Sequence, residues 1–351
     1  MTVIESCGVD AMAGYYPILK GRKAELRAID HLAGELAPHI IPIFDVVPHK
    51  GPIEDARKFS ERVKQALPPG MVVAVDVQRL PAPMTGTRRP LHDIAVDLDA
   101  WRISALPVVH LQDTAEQLAD VRTAAAMHGG GVVRVTASHA EPDVTEVDGR
   151  LAQVLAVIEL RTEDCIVLLD AAEVRSDQDL TKAEPLIRKH LAWTRRHHWK
   201  AVVVAAGAMP PNLSQVPANR ASSLRRWDLE LWRRLQQHDV QFADYGIAHP
   251  GVSAKGWGPA PNIRHTGHDA WWTYRTTRDG NGNIGIYDIC KALVSADHWP
   301  AAGRHFSWGD EQIALRAAGH AGTGVATDWI AWGTSHHLAY VAAQLGLTTT
   351  A

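Results

Sequence analysis

YPILKGRKAELRAIDHLAGELAPHIIPIFDV, residues 16–46, contains the unit on which the fold turns. Two short apolar runs, Tyr16–Leu19 and Ile40–Val46, flank the stretch Arg22–Ala37. In that stretch Ala24, Leu26, Ile29, Leu32, Ala33 and Leu36 recur every three or four positions. Such spacing lines one face of a helix. A short, nearly continuous apolar run fits a strand covered on both faces, as in a parallel sheet. The unit therefore reads strand, helix, strand.

Outward from it the same pattern repeats. Further strands are expected at Val72–Val77, Pro107–Leu111, Gly131–Thr136, Cys165–Asp170, Ala201–Ala205 and Val240–Tyr245. Amphipathic helices are expected between them, among them Ala115–Met127, Arg150–Glu163 and Ser223–Gln237. Regular alternation implies parallel βαβ units with right-handed crossovers. About eight such units in about 245 residues match the size of a (β/α)8 barrel. A doubly wound open sheet is the alternative, but its first βα turn is normally glycine-rich, and YPILKGRKAE lacks GxGxxG. The expected fold is thus α/β: a (β/α)8 TIM-like barrel over residues 1–250 and a C-terminal α+β cap over 251–351. In the cap, KGWGPAPNIRH reads as a linker, AWWTYRTT as a strand and RDGNGN as a turn. Ile286–Trp299, Asp310–Gly319 and Ala326–Leu345 read as helices.

Composition narrows the class of function. The chain has 351 residues, 46% hydrophobic and 21% charged, and a net charge of −3. No global field draws it to nucleic acid or anionic lipid. Its three cysteines, Cys7, Cys165 and Cys290, are far apart and make neither a disulfide framework nor a CxxC pair. The start MTVIESCGVDAMAGYY carries Glu5 and Asp10 and no basic region, unlike a secretory signal. No apolar stretch approaches the ~18 residues of a membrane span. A cytoplasmic protein is expected. Tryptophan is abundant, twelve against four phenylalanines, and concentrated in the last third. Those rings could fill a core or form a stacking surface.

In a barrel the strand C-termini and the loops after them build the active face. Here they read Lys20, Asp45, Asp76, His110, Arg134, Asp170, and Asp244 with Tyr245. Carboxylates converging from separate strands repel unless a cation or raised pKa values relieve them. Asp45, Asp76, Asp170 and Asp244 are accordingly the catalytic candidates, either around a divalent cation or as a general acid/base set. Each alone could simply cap a helix, and Asp113, just before TAEQL, has that look. Lys20, Arg134, Arg264 and Arg275 are candidate anion-binding residues, with Tyr245, Trp271 and His336 shaping the pocket. His336 and His337 are adjacent on a helix and point about 100° apart. The pair is not expected to share one ion. No HExxH, GxSxG or P-loop motif occurs.

YYPILKGRKAELRAIDHL, IIPIFDVVP, RRWDLELWRRL, FADYGIAHPG, NIRHTGHDAWWTYR, FSWGDEQIALRAAG and WIAWGTSHHLAYVAAQL together resemble the phage-type "beta protein" family of bacterial and phage proteins. The resemblance runs from residue 15 to 345. It implies a barrel with a family-specific cap and an association with mobile elements or phage defence. It marks Lys20, Glu25, Asp45, Asp244, Tyr245, Arg264, Arg275, Trp308, Gly309, Asp310 and His336 as motif positions. His265 stands where that pattern has an aromatic such as tyrosine.

Two functions compete at this stage. One is an enzyme, of the hydrolase class, acting on a small polar or anionic substrate at the barrel mouth, with a divalent cation as its candidate cofactor. The other is a non-catalytic recognition module that engages a protein, or less plausibly a nucleic acid, through the Trp-rich cap. Exposure or burial of Trp271, Trp299 and Trp308 separates them.

Overall fold

The computed structural model describes residues 14–67, 70–82, 88–136, 144–252, 260–277 and 282–347. Cys7, and parts of the expected linker (253–259) and turn (278–281), lie outside the described residues. Seven strands pair in chain order, each parallel to the next: β1 (Ile18–Leu19), β2 (Ile43–Asp45), β3 (Val72–Asp76), β4 (Ser104–His110), β5 (Gly131–Thr136), β6 (Cys165–Glu173) and β7 (Ala201–Gly207). After them, β8 (Ser222–Arg225) joins another sheet, and β9 (Gln241–Asp244) adds the eighth parallel strand beside β7. Tyr15 closes the ring. It bridges in parallel to both Ile40 and Phe242, and the Tyr16 amide donates to the Phe242 carbonyl at 2.9 Å. The expected (β/α)8 barrel is what the chain forms.

Helices α1 (Lys23–Asp30), α2 (Pro52–Ala66), α3 (Pro90–Ala100), α4 (Ala115–His128), α5 (Val144–Ile158), α6 (Asp177–Thr194) and α7 (Trp227–Leu235) wrap the strands. The α1 helix stops well before Ala37. Beyond it Gly34 and Pro38 disfavour continuation, and Ala37–His39 forms only a 3-10 turn. Side chains alternate along a strand, and the burial pattern follows that rule. Ile18, Ile43, Ala74, Val108, Val132, Leu168, Ala205 and Ala243 fill the barrel interior. Their chain neighbours, such as Leu19, Phe44, Val75 and Phe242, pack outward against the helices.

Among the described residues the cap is an antiparallel sheet with three helices. β10 (Asn262–Thr266) pairs with β11 (Ala270–Arg275), and β11 pairs with β8. The expected helix Ser223–Gln237 is therefore corrected: its first residues form β8, and α7 starts at Trp227. Alternating half-buried and exposed positions in β8 match a strand covered on one face. Helices α8 (Ile286–Val294), α9 (Trp308–Ala317) and α10 (Ala326–Gln344) cover the sheet, and α10 also packs on α1 of the barrel. Trp329 and Trp332 are buried in this core, and Trp299 and Trp308 are partly buried against it. No described helix is long and apolar enough to cross a membrane.

Candidate functional site

The polar mouth follows from strand parity. Two residues beyond each interior apolar position, the next inward side chain is Lys20, Asp45, Asp76, His110, Arg134, Asp170 or Tyr245, with Gly207 on β7. Arg134 is the hub of this layer. Its Nη1 donates to Asp45 Oδ1 (2.6 Å) and Asp76 Oδ2 (2.8 Å). Its Nη2 donates to Asp170 Oδ2 (2.7 Å) and to the Tyr245 hydroxyl (2.7 Å), which itself donates to Asp170 Oδ2 at 2.6 Å. Lys20 Nζ and Arg79 Nε donate to Asp45 Oδ2 at 3.1 and 3.0 Å. His110 Nε2 meets Asp76 Oδ2 at 2.9 Å. The remaining carboxylate oxygens take backbone amides, Gln78 on Asp76 and Ala172 on Asp170.

Arginine thus supplies the positive charge that the sequence assigned to a divalent cation or to raised pKa values. Burial works to raise the Asp45 carboxyl, but Arg134, Lys20 and Arg79 outweigh it and hold it below the carboxylate range. Asp76 behaves likewise, burial being outweighed by His110 and Arg134. Burial works to lower His110, yet Asp76 overrides it and the imidazole is raised. Every oxygen of Asp45, Asp76 and Asp170 already accepts from a protein donor, so this set does not fit a metal. Pro250 lies over the layer: its carbonyl accepts from Lys20 Nζ (2.6 Å) and Arg79 Nη2 (3.0 Å). A Cβ on Gly207 would stand 2.4 Å from the Pro250 ring, so that strand end must be glycine for the segment to seat.

Asp244 goes elsewhere. One residue out of phase with Tyr245, it points outward and accepts from the Tyr15 hydroxyl (2.8 Å) and the Gly246 amide (2.9 Å). His337 Nε2 lies 2.9 Å from its other oxygen, and Arg226 Nη2 3.6 Å away. The expected convergence of four acids is therefore three, with Asp244 in a separate buried network joining barrel to cap. Asp113 is also not a cap. Thr114 caps α4, while Asp113 accepts from the His110 amide at 2.8 Å.

Of the candidate binding residues, Lys20, Tyr245 and Arg264 line one cavity of about 490 Å³ between the β1, β2 and β9 ends and α10. Arg264 Nη1 donates to the Ile247 carbonyl at 2.5 Å, and burial pulls its guanidinium down to about 10. Arg134 lies beneath, buried in the polar layer. Trp271 is buried with Ile247 and Met209, away from the cavity lining. Arg275 sits at the end of β11, and its Nε is buried. His336 does not shape the mouth; it is buried in the cap against Asp310 and His265. Burial, then the neighbouring His336, pushes the His265 imidazole down to about 3. Sequence reasoning did not find Arg79, Tyr15, Arg226 or the His265–Asp310 contact, whose members are 45 residues apart and share no local motif.

Comparison with known proteins places residues 15–343 in a match to the family described as Beta protein. Among solved structures, the chain is similar to triosephosphate isomerase from Bartonella henselae (14% identity, 66% of this chain and 92% of that one, TM-score 0.36). It is also similar to a type I 3-dehydroquinate dehydratase from Clostridium difficile (8% identity, 69% and 88%, TM-score 0.42). Comparison with curated proteins gives no match.

Proposed function

The chain belongs to the Beta protein family, and from that premise we propose that it is a barrel enzyme, a hydrolase of small anionic substrates, which takes its substrate in the cleft between strand ends and cap. The charge of the 490 Å³ cavity carries this reading. Lys20, Arg22, Lys23, Lys58, Arg62 and Arg264 line it, with Lys20 and Lys58 themselves paired to Asp45 and Glu54, against two acids among the described residues, Glu25 and Asp55. Both acids are taken up by the backbone: Glu25 accepts from the Lys20 and Arg22 amides, and Asp55 from those of His49, Lys50 and Gly51. A concave, cation-lined site with low-dielectric walls concentrates anions. Burial holds the Lys20 ammonium below the ordinary lysine range, and an arriving anion would restore it.

Hydrolysis also needs a proton carrier, and Lys20, which lines this cavity and is held low by burial, is suited to that role. His110, fixed by Asp76, opens instead onto a second cavity of about 320 Å³ that shares no lining residue with the first. We further propose a setting in phage defence, which the resemblance of the sequence motifs to phage-type beta proteins implies. Of the three rings that separate the two readings, Trp271 is buried, while Trp299 and Trp308 are only partly buried against the cap core, so they do not by themselves dismiss a recognition module.

A thermal-shift series with inorganic phosphate, pyrophosphate and citrate tests the pocket. At least one anion should raise Tm, and Arg62→Gln together with Arg264→Gln should abolish the rise. No shift with any anion, or a shift indifferent to both substitutions, would refute it. Hydrolytic activity on phosphate or carboxylate esters should fall at least tenfold in Lys20→Gln, and phage plating should distinguish cells expressing wild type from those expressing that variant.

A further inference from the structure

We propose that His265, Asp310 and His336, brought together inside the cap from β10, α9 and α10, bind a divalent first-row metal ion. The three side chains have no exposed surface. One ligand atom from each lies within 4.8 Å of the others. His265 Nε2 is 3.0 Å from Asp310 Oδ1, and His336 Nδ1 is 2.9 Å from Asp310 Oδ2. Donor atoms at bonds of about 2.0–2.1 Å around a tetrahedral ion stand roughly 3.3 Å apart, close to these imidazole–carboxylate distances.

The proton inventory points the same way. His336 Nε2 lies 2.8 Å from the Thr266 carbonyl, which has no proton to give, so that nitrogen is the donor. In a neutral ring Nδ1 then presents its lone pair to the Asp310 carboxylate, a repulsive contact unless something positive lies between them. A metal-ligating histidine has this very pattern, one nitrogen on the ion and the other donating to a backbone carbonyl. Asp310 is braced in turn by the Ser307 hydroxyl, which donates to Oδ2 at 2.6 Å. His265 Nδ1 is buried with no partner, an unexplained lone pair or proton in the dry core.

Aromatic rings enclose the cluster. His265 stacks on Trp299 with centroids 5.4 Å apart, and Phe306 and Tyr340 lie against His336. An apolar shell of this kind strengthens charge–ligand interactions. Two imidazoles and a carboxylate suit zinc among the common ions. The His265 and His336 rings are stacked at 3.5 Å and 20°, so loading must open that stack, and Trp299 would register it. With ligands on three elements and none of them exposed, the ion would fasten the cap and take no part in chemistry at the mouth.

The test uses full-length protein stripped with chelator and titrated with zinc or cobalt chloride. The expected result is one equivalent bound per chain, a Tm rise of several degrees, a change in tryptophan emission and tetrahedral cobalt absorption in the visible. His265→Gln and Asp310→Asn should lose the cobalt spectrum. Should either fail to fold, the stripped and reloaded wild type still gives the answer. No stoichiometric uptake, or a spectrum and Tm rise unchanged in His265→Gln, would overturn the proposal; the first result leaves a proton between His336 and Asp310, the second places the ion on surface histidines. Neither result bears on the anion pocket, which shares none of these residues.

Discussion

Arg134 decides the character of the mouth, because three buried carboxylates depend on it at once. Removing one partner of a buried charged network leaves uncompensated charge and costs about 3–5 kcal/mol. Arg134→Met should therefore destabilise the chain by about that amount, measured by urea unfolding at pH 7. The pH dependence has a definite sign. Asp45 and Asp76 are held low in the folded protein. Their contribution is present above the unfolded carboxylate pKa of about 4 and is lost as pH falls through the folded values. The variant lacks that contribution, so its deficit should be largest near neutrality and narrow below about pH 4. A deficit still unchanged well below pH 4 would mean the carboxylates do not depend on Arg134. Asp228 behaves in the opposite way. It is fully buried at the start of α7, 3.8 Å from Arg226, and burial pushes its carboxyl up to about 7. The folded protein thus keeps a proton that the unfolded chain releases above about pH 4, and stability falls as pH rises from there toward 7. Asp228→Asn should be more stable than wild type at pH 8, with a ceiling of about 4 kcal/mol set by three pKa units. That gain should vanish near pH 4; thermal melts at the two pH values measure both.

Glycines set how closely the cap's elements approach. A Cβ on Gly309 would lie 2.0 Å from the Trp332 carbonyl oxygen, so α9 and α10 cross there with backbone against backbone. Gly333 meets the Arg264 carbonyl of β10 the same way, at 2.7 Å. Gly309→Ala should cost about 3 kcal/mol or more, because backbone, unlike a flexible side-chain end, cannot yield cheaply. Gly149→Ala on α5, where nothing lies within 4 Å, should be neutral or stabilise by roughly 0.5–1 kcal/mol. Equal effects of the two in chemical denaturation would dismiss the close crossing. Elements of this kind differ in how far the sequence reveals them. The barrel strands were legible because each is a short apolar run buried on both faces, and Asp45, Asp76 and Asp170 were legible as their polar ends. Parity was not: VQFADY ends in two polar residues, and only the register with β7 shows that Tyr245 points in and Asp244 out. β8, the run SSLR, carries a single apolar residue, Leu224, and exists as a strand because β11 supplies its partner. The His265–Asp310–His336 cluster joins residues 45 and 26 positions apart, which no local spacing announces.

Taken whole, barrel and cap share their most deeply buried polar groups. Asp244 of the barrel is satisfied by Tyr15 of the closing segment and by His337 of α10, which also meets the Thr266 hydroxyl at 2.8 Å. Arg226, fully buried, reaches Asp244 from one side and donates to Gln344 of α10 at 2.9 Å on the other. β8, which precedes α7, is paired only with the cap strand β11. Separating the two parts would expose an arginine, an aspartate and a histidine to incomplete solvation while breaking a sheet. Each buried group left unpaired costs about 1–3 kcal/mol, more when charged, so three together rival a domain stability of about 5–15 kcal/mol. Residues 1–250 and 251–351 should therefore unfold together. In thermal denaturation, far-UV circular dichroism and tryptophan emission should trace one coincident transition, as cooperative unfolding requires. His337→Ala, which removes the link from the cap to Asp244, should lower that single midpoint without splitting it. Two separate transitions in the wild-type chain, one carried by the tryptophan signal of the cap and one by the barrel, would show that the shared polar network does not couple them.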